Sequence, residues 1–164
     1  MPITIDQIIR TLELSPHPEG GYFRESFRSP TGVEISPNGS VRAASTAIYF
    51  LLTPESFSAF HRVNRADELW HHYIGEPVEL HLLSEEFGHQ SHVLGSDLET
   101  GQRPQIVVPA GTFQAARTIG AHYSLCGCTV APGFEFTDWE MPSRESLLRR
   151  FPEHAALITQ FTER

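Results

Sequence analysis

Residues 57–77 read FSAFHRVNRADELWHHYIGEP, and the fold turns on whether their spacing is that of strands. Two β-rich runs, 57–63 and 67–74, flank a polar NRA. Successive side chains of a strand point to opposite faces. Phe57, Ala59, His61 and Val63 then share one face, and Glu68, Trp70, His72 and Ile74 share one face of the next run. This splits His71 from His72, so only His72 lies with Glu68. A carboxylate among aromatic and apolar neighbours must be hydrogen-bonded, paired or protonated. His61, on the adjacent strand, is its natural partner, and Trp70 would form a wall of the same pocket.

The same strand-like texture extends on both sides. STAIYFLLT (45–53) is β-rich and almost wholly apolar, as expected of a strand buried on both faces. YFRESFRS (22–29), PVELHLLS (77–84), QIVVPAG (105–111), FQAART (113–118) and HYSLCGCTV (122–130) are further strand candidates, and APGFEFTDWEM (131–141) passes through a turn into aromatic alternation. PTGVEISPNGSV (30–41) has the turn formers of a surface loop or hairpin tip, and 85–104 reads as a polar connection. Helical spacing occurs only at the ends. ITIDQIIRTLEL carries Thr4 as its N-cap, and the tail from Ser143 holds an apolar set at 147, 148 and 151 before Pro152 starts another turn. The expectation is one domain over 1–164, with a barrel or sandwich at about 20–141 and flanking helices at about 4–14 and 143–162.

Composition narrows the partners. The chain has 164 residues, 40% hydrophobic and 20% charged, within the globular range. Twelve Pro and twelve Gly favour short strands joined by turns. A formal charge of -8 argues against nucleic acid, whose binding rests on neutralising phosphates. No apolar run is long enough for a membrane span, and MPITIDQIIRTLEL lacks the parts of a signal peptide, so a cytoplasmic location is expected. Cys126 and Cys128, at i and i+2 of a strand, would make a strained disulfide and a poor zinc site; they read as small core residues. HPEGG (17–21) lacks the later Gly and Lys of a phosphate loop, and GCTVAPG is no nucleophile elbow.

The opening segment resembles the first signature of the cupin superfamily, G-x5-H-x-H-x(3,4)-E-x6-G. His61 falls at the first histidine and Glu68-x6-Gly75 fits the second half, while Val63 or Asn64 stands at the second histidine. The second signature, G-x5-P-x-G-x2-H, is approached by Pro109 to Gln114, with Gln114 at the last histidine. The blocks HPEGGYFRE (17–25), STAIYFLL (45–52), FHRVNRADELWHHYIG (60–75), VVPAGTFQAAR (107–117) and CTVAPGFEFTDWEM (128–141) are similar to the DUF985, or cupin-5, branch. That resemblance implies a mainly β, double-stranded β-helix (jelly-roll) barrel paired as a homodimer.

Three functions are weighed on that basis. In the first, a small-molecule-binding cupin without cofactor, Glu68, Trp70, His72 and Gln114 recognise the ligand, with Tyr22 and Arg24 on a neighbouring strand; Arg24 would clamp a carboxylate or phosphate. The second is a metal-independent epimerase- or isomerase-like enzyme of the sugar-nucleotide kind, in which His61 removes a proton and Tyr123 returns one. The third, a divalent-metal cupin acting as dioxygenase, isomerase or lyase, has only His61, Glu68 and Gln114 as ligands. His72 lies about 13 Å along the strand from Glu68.

Overall fold

The computed structural model describes residues 3–35 and 39–162. In chain order it contains α1 (Ile5–Leu12), β1 (Ser15–Pro16), β2 (Tyr22–Arg28), β3 (Gly32–Ile35), β4 (Ser40–Ala43), β5 (Thr46–Leu52), β6 (Phe57–Val63) and β7 (Asp67–Gly75). There follow β8 (Val78–Ser84), β9 (Gly88–Leu94), β10 (Gln105–Val108), β11 (Phe113–Thr118), β12 (Ser124–Ala131), β13 (Trp139–Glu140), α2 (Arg144–Arg150) and α3 (Ala155–Gln160).

Two antiparallel sheets carry the fold. One runs β1-β2-β5-β12-β7-β10 and the other β13-β6-β11-β8-β9. Their facing sides enclose a core that includes Phe50, Trp70, Leu80, Leu82, Cys126 and Cys128. This is the mainly β jelly-roll barrel the sequence suggested, and both cysteines are free and buried within it. No helix among the described residues is long and apolar enough to cross a membrane.

The helices cover opposite outer faces. In α1 Thr4 and Gln7 form a reciprocal capping box, and Ile8 is buried against Leu14, Leu51 and Leu125 on the six-stranded sheet. Ser143 caps α2. On the five-stranded sheet Phe60, Leu83 and Phe113 pack under Leu147, Ile158 and Phe161 of the C-terminal segment. Alternation in β8 explains this: Val78, Leu80 and Leu82 face the barrel, and Leu83 faces the helices.

Two segments, 85–104 and 131–141, depart from the sequence reading, and a third, 30–41, takes the hairpin form of it. The supposed polar connection 85–104 contains β9, which pairs with β8 at the edge of its sheet and also accepts the Arg103 N–H at Val93 O. An edge strand with mostly solvated side chains needs no apolar pattern, so GHQSHVL hides it. The 30–41 segment forms the β3–β4 hairpin, whose expected tip at 36–38 lies outside the described residues. Aromatic alternation at 131–141 gives a 3-10 turn at Phe136–Asp138 followed by the two-residue β13, not a full strand.

Candidate functional site

The site begins with a turn. Before β2, His17 to Gly21 closes on itself through His17 N–H to Gly21 O and Gly20 N–H to His17 O, both 3.0 Å. Gly20 and Gly21 take φ of 107° and 72°, and a Cβ on Gly20 would run into the Phe57 carbonyl. Only glycine allows the turn to press on β6 this closely. The Ala59 N–H then donates to Glu19 O at 2.7 Å, which aims the Glu19 side chain into the barrel.

Strand β6 meets it with an irregularity. Against β11, Gln114 pairs with His61 but Ala116 pairs with Ser58, so β6 carries a bulge at residues 59–60. Alternation is thereby reset. Phe57 and Phe60 pack with the C-terminal helices, while Ser58 and His61 both reach Glu19. The sequence reading had grouped Phe57 with His61, which the bulge undoes.

The result is a buried proton-sharing cluster. His61 Nδ1–H donates to Ala59 O at 2.8 Å, leaving Nε2 at 3.2 Å from Glu19 Oε2. Glu19 also accepts from Ser58 Oγ at 2.9 Å and from Trp139 Nε1–H at 3.3 Å. Burial pushes the Glu19 carboxyl up to about 8, against which the Ser58 and Trp139 bonds act only partly. Burial likewise lowers His61, partly offset by the Glu68 carboxyl. Near neutrality the pair is therefore a carboxylic acid donating to a neutral imidazole. His17 accepts the Glu19 backbone N–H at 3.2 Å and is lowered to about 4, by burial first and then by His61. Glu68 is raised, chiefly by burial, and accepts from the Gln114 amide.

These groups lie in a cavity of about 90 Å³. Phe23, Ile48, Phe50, Val63 and Val130 form its apolar lining, with Cys128 beside Glu68. His17 stands edge-on to Phe23 at 4.4 Å and stacks on Phe136 at 6.4 Å, while Trp139 lies 5.8 Å from Phe136. Arg28 also lines the cavity, paired at 2.9 Å with both Glu25 and Glu135.

Of the residues singled out from sequence, the structure brings together only His61 and Glu68 in this cavity. Trp70 is a core residue, edge-on to Phe50, and its indole N–H donates to Gln114 Oε1 at 2.7 Å. Gln114 in turn holds Glu68, so both act from behind the wall. His72 turns to the end of its strand, where Nε2 meets Glu76 O at 3.1 Å. Tyr22 and Arg24 do share a face, but it is the outer one. Tyr22 packs beside α1, and Arg24 pairs with Glu13 at the α1 C-cap. Their neighbours Phe23 and Glu25 point inward instead. Tyr123 also packs beside α1, on the opposite side of the sheet from His61. His17, Glu19 and Trp139 were not anticipated. Their only signal was membership of the HPEGGYFRE and DWEM blocks, since burial comes from a Gly-Gly turn that carries no periodic pattern.

Of the metal set drawn from the sequence, His61 and Glu68 face the cavity, while Gln114 stands behind Glu68. Both Gln114 amide atoms are engaged, by Trp70 and Glu68, and His61 spends its two nitrogens on Ala59 and Glu19. Among the described residues no three His, Cys, Asp or Glu side chains are grouped to hold a metal ion.

A two-sheeted antiparallel barrel that presents a histidine from one sheet and a glutamate from the other into an inner cavity is the architecture of the cupin superfamily. The match is closer than the superfamily: residues 6–142 match the family described as Cupin superfamily (DUF985), and the chain belongs to it. The uncharacterized protein YML079W of Saccharomyces cerevisiae is 34% identical, the match spanning 94% of this chain and 84% of that one. A hypothetical protein from Leishmania major superposes with TM-score 0.91 at 35% identity, covering 99% of this chain and 100% of its own. Protein SO0799 from Shewanella oneidensis gives TM-score 0.91 at 38% identity, covering 99% of each chain.

Proposed function

We propose that this protein binds a small organic molecule in the barrel cavity through its own side chains, without a metal. The observation that carries this is the Glu19–His61–Glu68 group: three titratable side chains buried in one aromatic-walled cavity. Burying such groups opposes folding unless something is gained from them, and a core of this size is more stable with apolar residues there. A second reading, proton transfer, is favoured by the 3.2 Å contact between His61 Nε2 and Glu19. There Glu19 would hand its proton to the substrate, which frees His61 Nε2 to take one from it. Glu19 then stands in place of Tyr123, with the rate gain of about 10²–10⁴ usual for general acid–base help.

A thermal-shift screen of metal-stripped protein tests the binding reading. Sugar nucleotides, hydroxy acids, aromatic acids and amines, and purine and nicotinamide compounds make up the panel. A ligand at 100 times its dissociation constant stabilises by about 2.7 kcal/mol, and the shift should vanish in His61→Gln. A shift that persists undiminished in that variant places binding elsewhere. Product formed from any hit would favour proton transfer.

Pairing of two chains is part of the same proposal. Tyr73, 48% exposed, lies over Gly127 and edge-on to Tyr49, on a sheet face that also exposes Val107. Such a face supports a homodimer contact.

A further inference from the structure

The charges around the cavity are one-sided. Four carboxyl groups line it, Glu19, Glu25, Glu68 and Glu135, and Arg28 is the sole Lys or Arg among the lining residues. Arg28 is already committed. Its Nε–H and one Nη2–H go to Glu25, an Nη1–H to Glu135, and a further Nη2–H to the Phe134 carbonyl. That engages four of a guanidinium's five donors. The two imidazoles give no positive charge either, since burial lowers both His17 and His61. The outer carboxyls, Glu25 and Glu135, share Arg28, and the inner ones, Glu19 and Glu68, are raised by burial. An anionic ligand would therefore find no free cation, while a cationic one can take the place of the inner carboxyls' protons. Independently of charge, five aromatic side chains line the cavity: Phe23, Phe50, Phe134, Phe136 and Trp139. The face of an aromatic ring carries the negative end of its quadrupole and attracts a cation.

We propose that the ligand of this pocket is a small organic cation, an ammonium or amidinium head group seated on the aromatic wall and charge-paired with Glu19 and Glu68. This rests on the reading of the cavity as a small-molecule site and names the class of molecule it takes. The cation occupies the role that a proton plays in the empty pocket. Glu19 accepts from Ser58, Trp139 and, once it has lost its proton, from His61 only if that ring is protonated, so the ligand's N–H groups or methyl face complete its shell. Glu68 is held by Gln114 on one oxygen, leaving the carboxyl to face the cavity beside Cys128. The groups facing this pair from every side are His17 and Trp139 across the turn, His61 on β6, Cys128 on β12, and the Glu25–Arg28–Glu135 set. None of them supplies a positive charge that competes with the ligand.

Isothermal titration of the full chain decides this with matched probes of differing charge: benzamidinium, benzamide and benzoate, then choline and dimethylbutanol, its uncharged carbon isostere. The cation of each set should bind at least about tenfold more tightly than its neutral isostere. Its binding should release a proton, seen as a heat that changes with the ionisation enthalpy of the buffer. Affinity should rise as pH is brought up to about 8, where Glu19 gives up its proton unaided. Glu68→Gln should lose most of the preference for benzamidinium while leaving benzamide binding in place, which also shows that the variant is folded. If benzamide or benzoate binds as tightly as benzamidinium, the cation is refuted and the small-molecule pocket stands. If no member of either set binds, both are refuted.

Discussion

Raising the pH from about 6.5 to 8 is expected to remove stability that one buried carboxyl, Glu19, contributes. Its value in the fold is raised by burial from 4.5 to about 8. A raised carboxyl contributes fully at pH values below its unfolded value, and that contribution is lost as the pH climbs through the folded value. The whole span is worth about 5 kcal/mol, from 3.5 pH units at about 1.4 kcal/mol each. The part falling between pH 6.5 and 8 is about 1.5–2 kcal/mol, or roughly 3–8 °C in Tm for a chain of this size. His17, His61, His71, His81 and His89 are all lowered, and their unfolded forms are still half protonated at about pH 6.5. Each therefore adds up to about 0.4 kcal/mol of stability across this window, less where solvent screens it. The Glu19 loss is read as the difference from a variant that keeps these histidines. Glu68 is raised as well and adds to the Glu19 loss. The control is Glu19→Gln, whose amide can still donate to His61 and accept from Ser58. Only the 3.3 Å bond from Trp139 is left without its acceptor. In urea unfolding the native chain should lose about 1.5–2 kcal/mol relative to the variant between the two pH values, the histidine and Glu68 contributions being common to both. A variant whose stability changes with pH just as the native chain's does would refute the assignment of Glu19 as a buried neutral acid.

Gln114→Leu should cost about 1–3 kcal/mol in chemical denaturation, because it leaves the buried Trp70 N–H with no acceptor; an unchanged midpoint would show that another group takes over. Gly20→Ala, at φ 107° and against the Phe57 carbonyl, should cost about 1–3 kcal/mol and weaken ligand binding by moving Glu19; a variant with native stability and affinity would mean the turn does not set the site. Light scattering on a sizing column should give twice the 18.4 kDa chain mass, and Tyr73→Glu should return it to one; a native monomer would remove the proposed pairing.

Much of the barrel was legible because its core strands obey period two. TAIYFLL and VELHLLS announce themselves by apolar content, and the helices by a cap and 3.6-residue spacing. What escaped lies where alternation fails. The bulge in β6 moved Ser58 to the side of His61, and the edge strand β9 buries only its last residue, Leu94, too little to show as a pattern. The candidate site was half legible for the same reason. His61 and Glu68 sit on regular strand positions. Glu19 reaches them from a glycine turn, and Trp139 from a short strand after a 3-10 turn, where no spacing rule applies. Tyr22, Arg24 and Tyr123 were placed on plausible strands but on the outer face, because α1 claims that side of the sheet.

The bulge in β6 also joins two regions that share no side chain. Phe60 donates its backbone N–H to the Phe161 carbonyl at 2.9 Å, while the next residue, His61, holds Glu19. The last helix and the cavity thus pull on neighbouring peptide units of one strand. Whatever steadies His61 from inside also steadies the seat of the C-terminal helices, and by reciprocity a loosened tail should weaken binding of the proposed ligand. The C-terminal helices are in this sense a brace for the pocket wall, and shortening the chain there would be felt in the cavity before it was felt in the sheets.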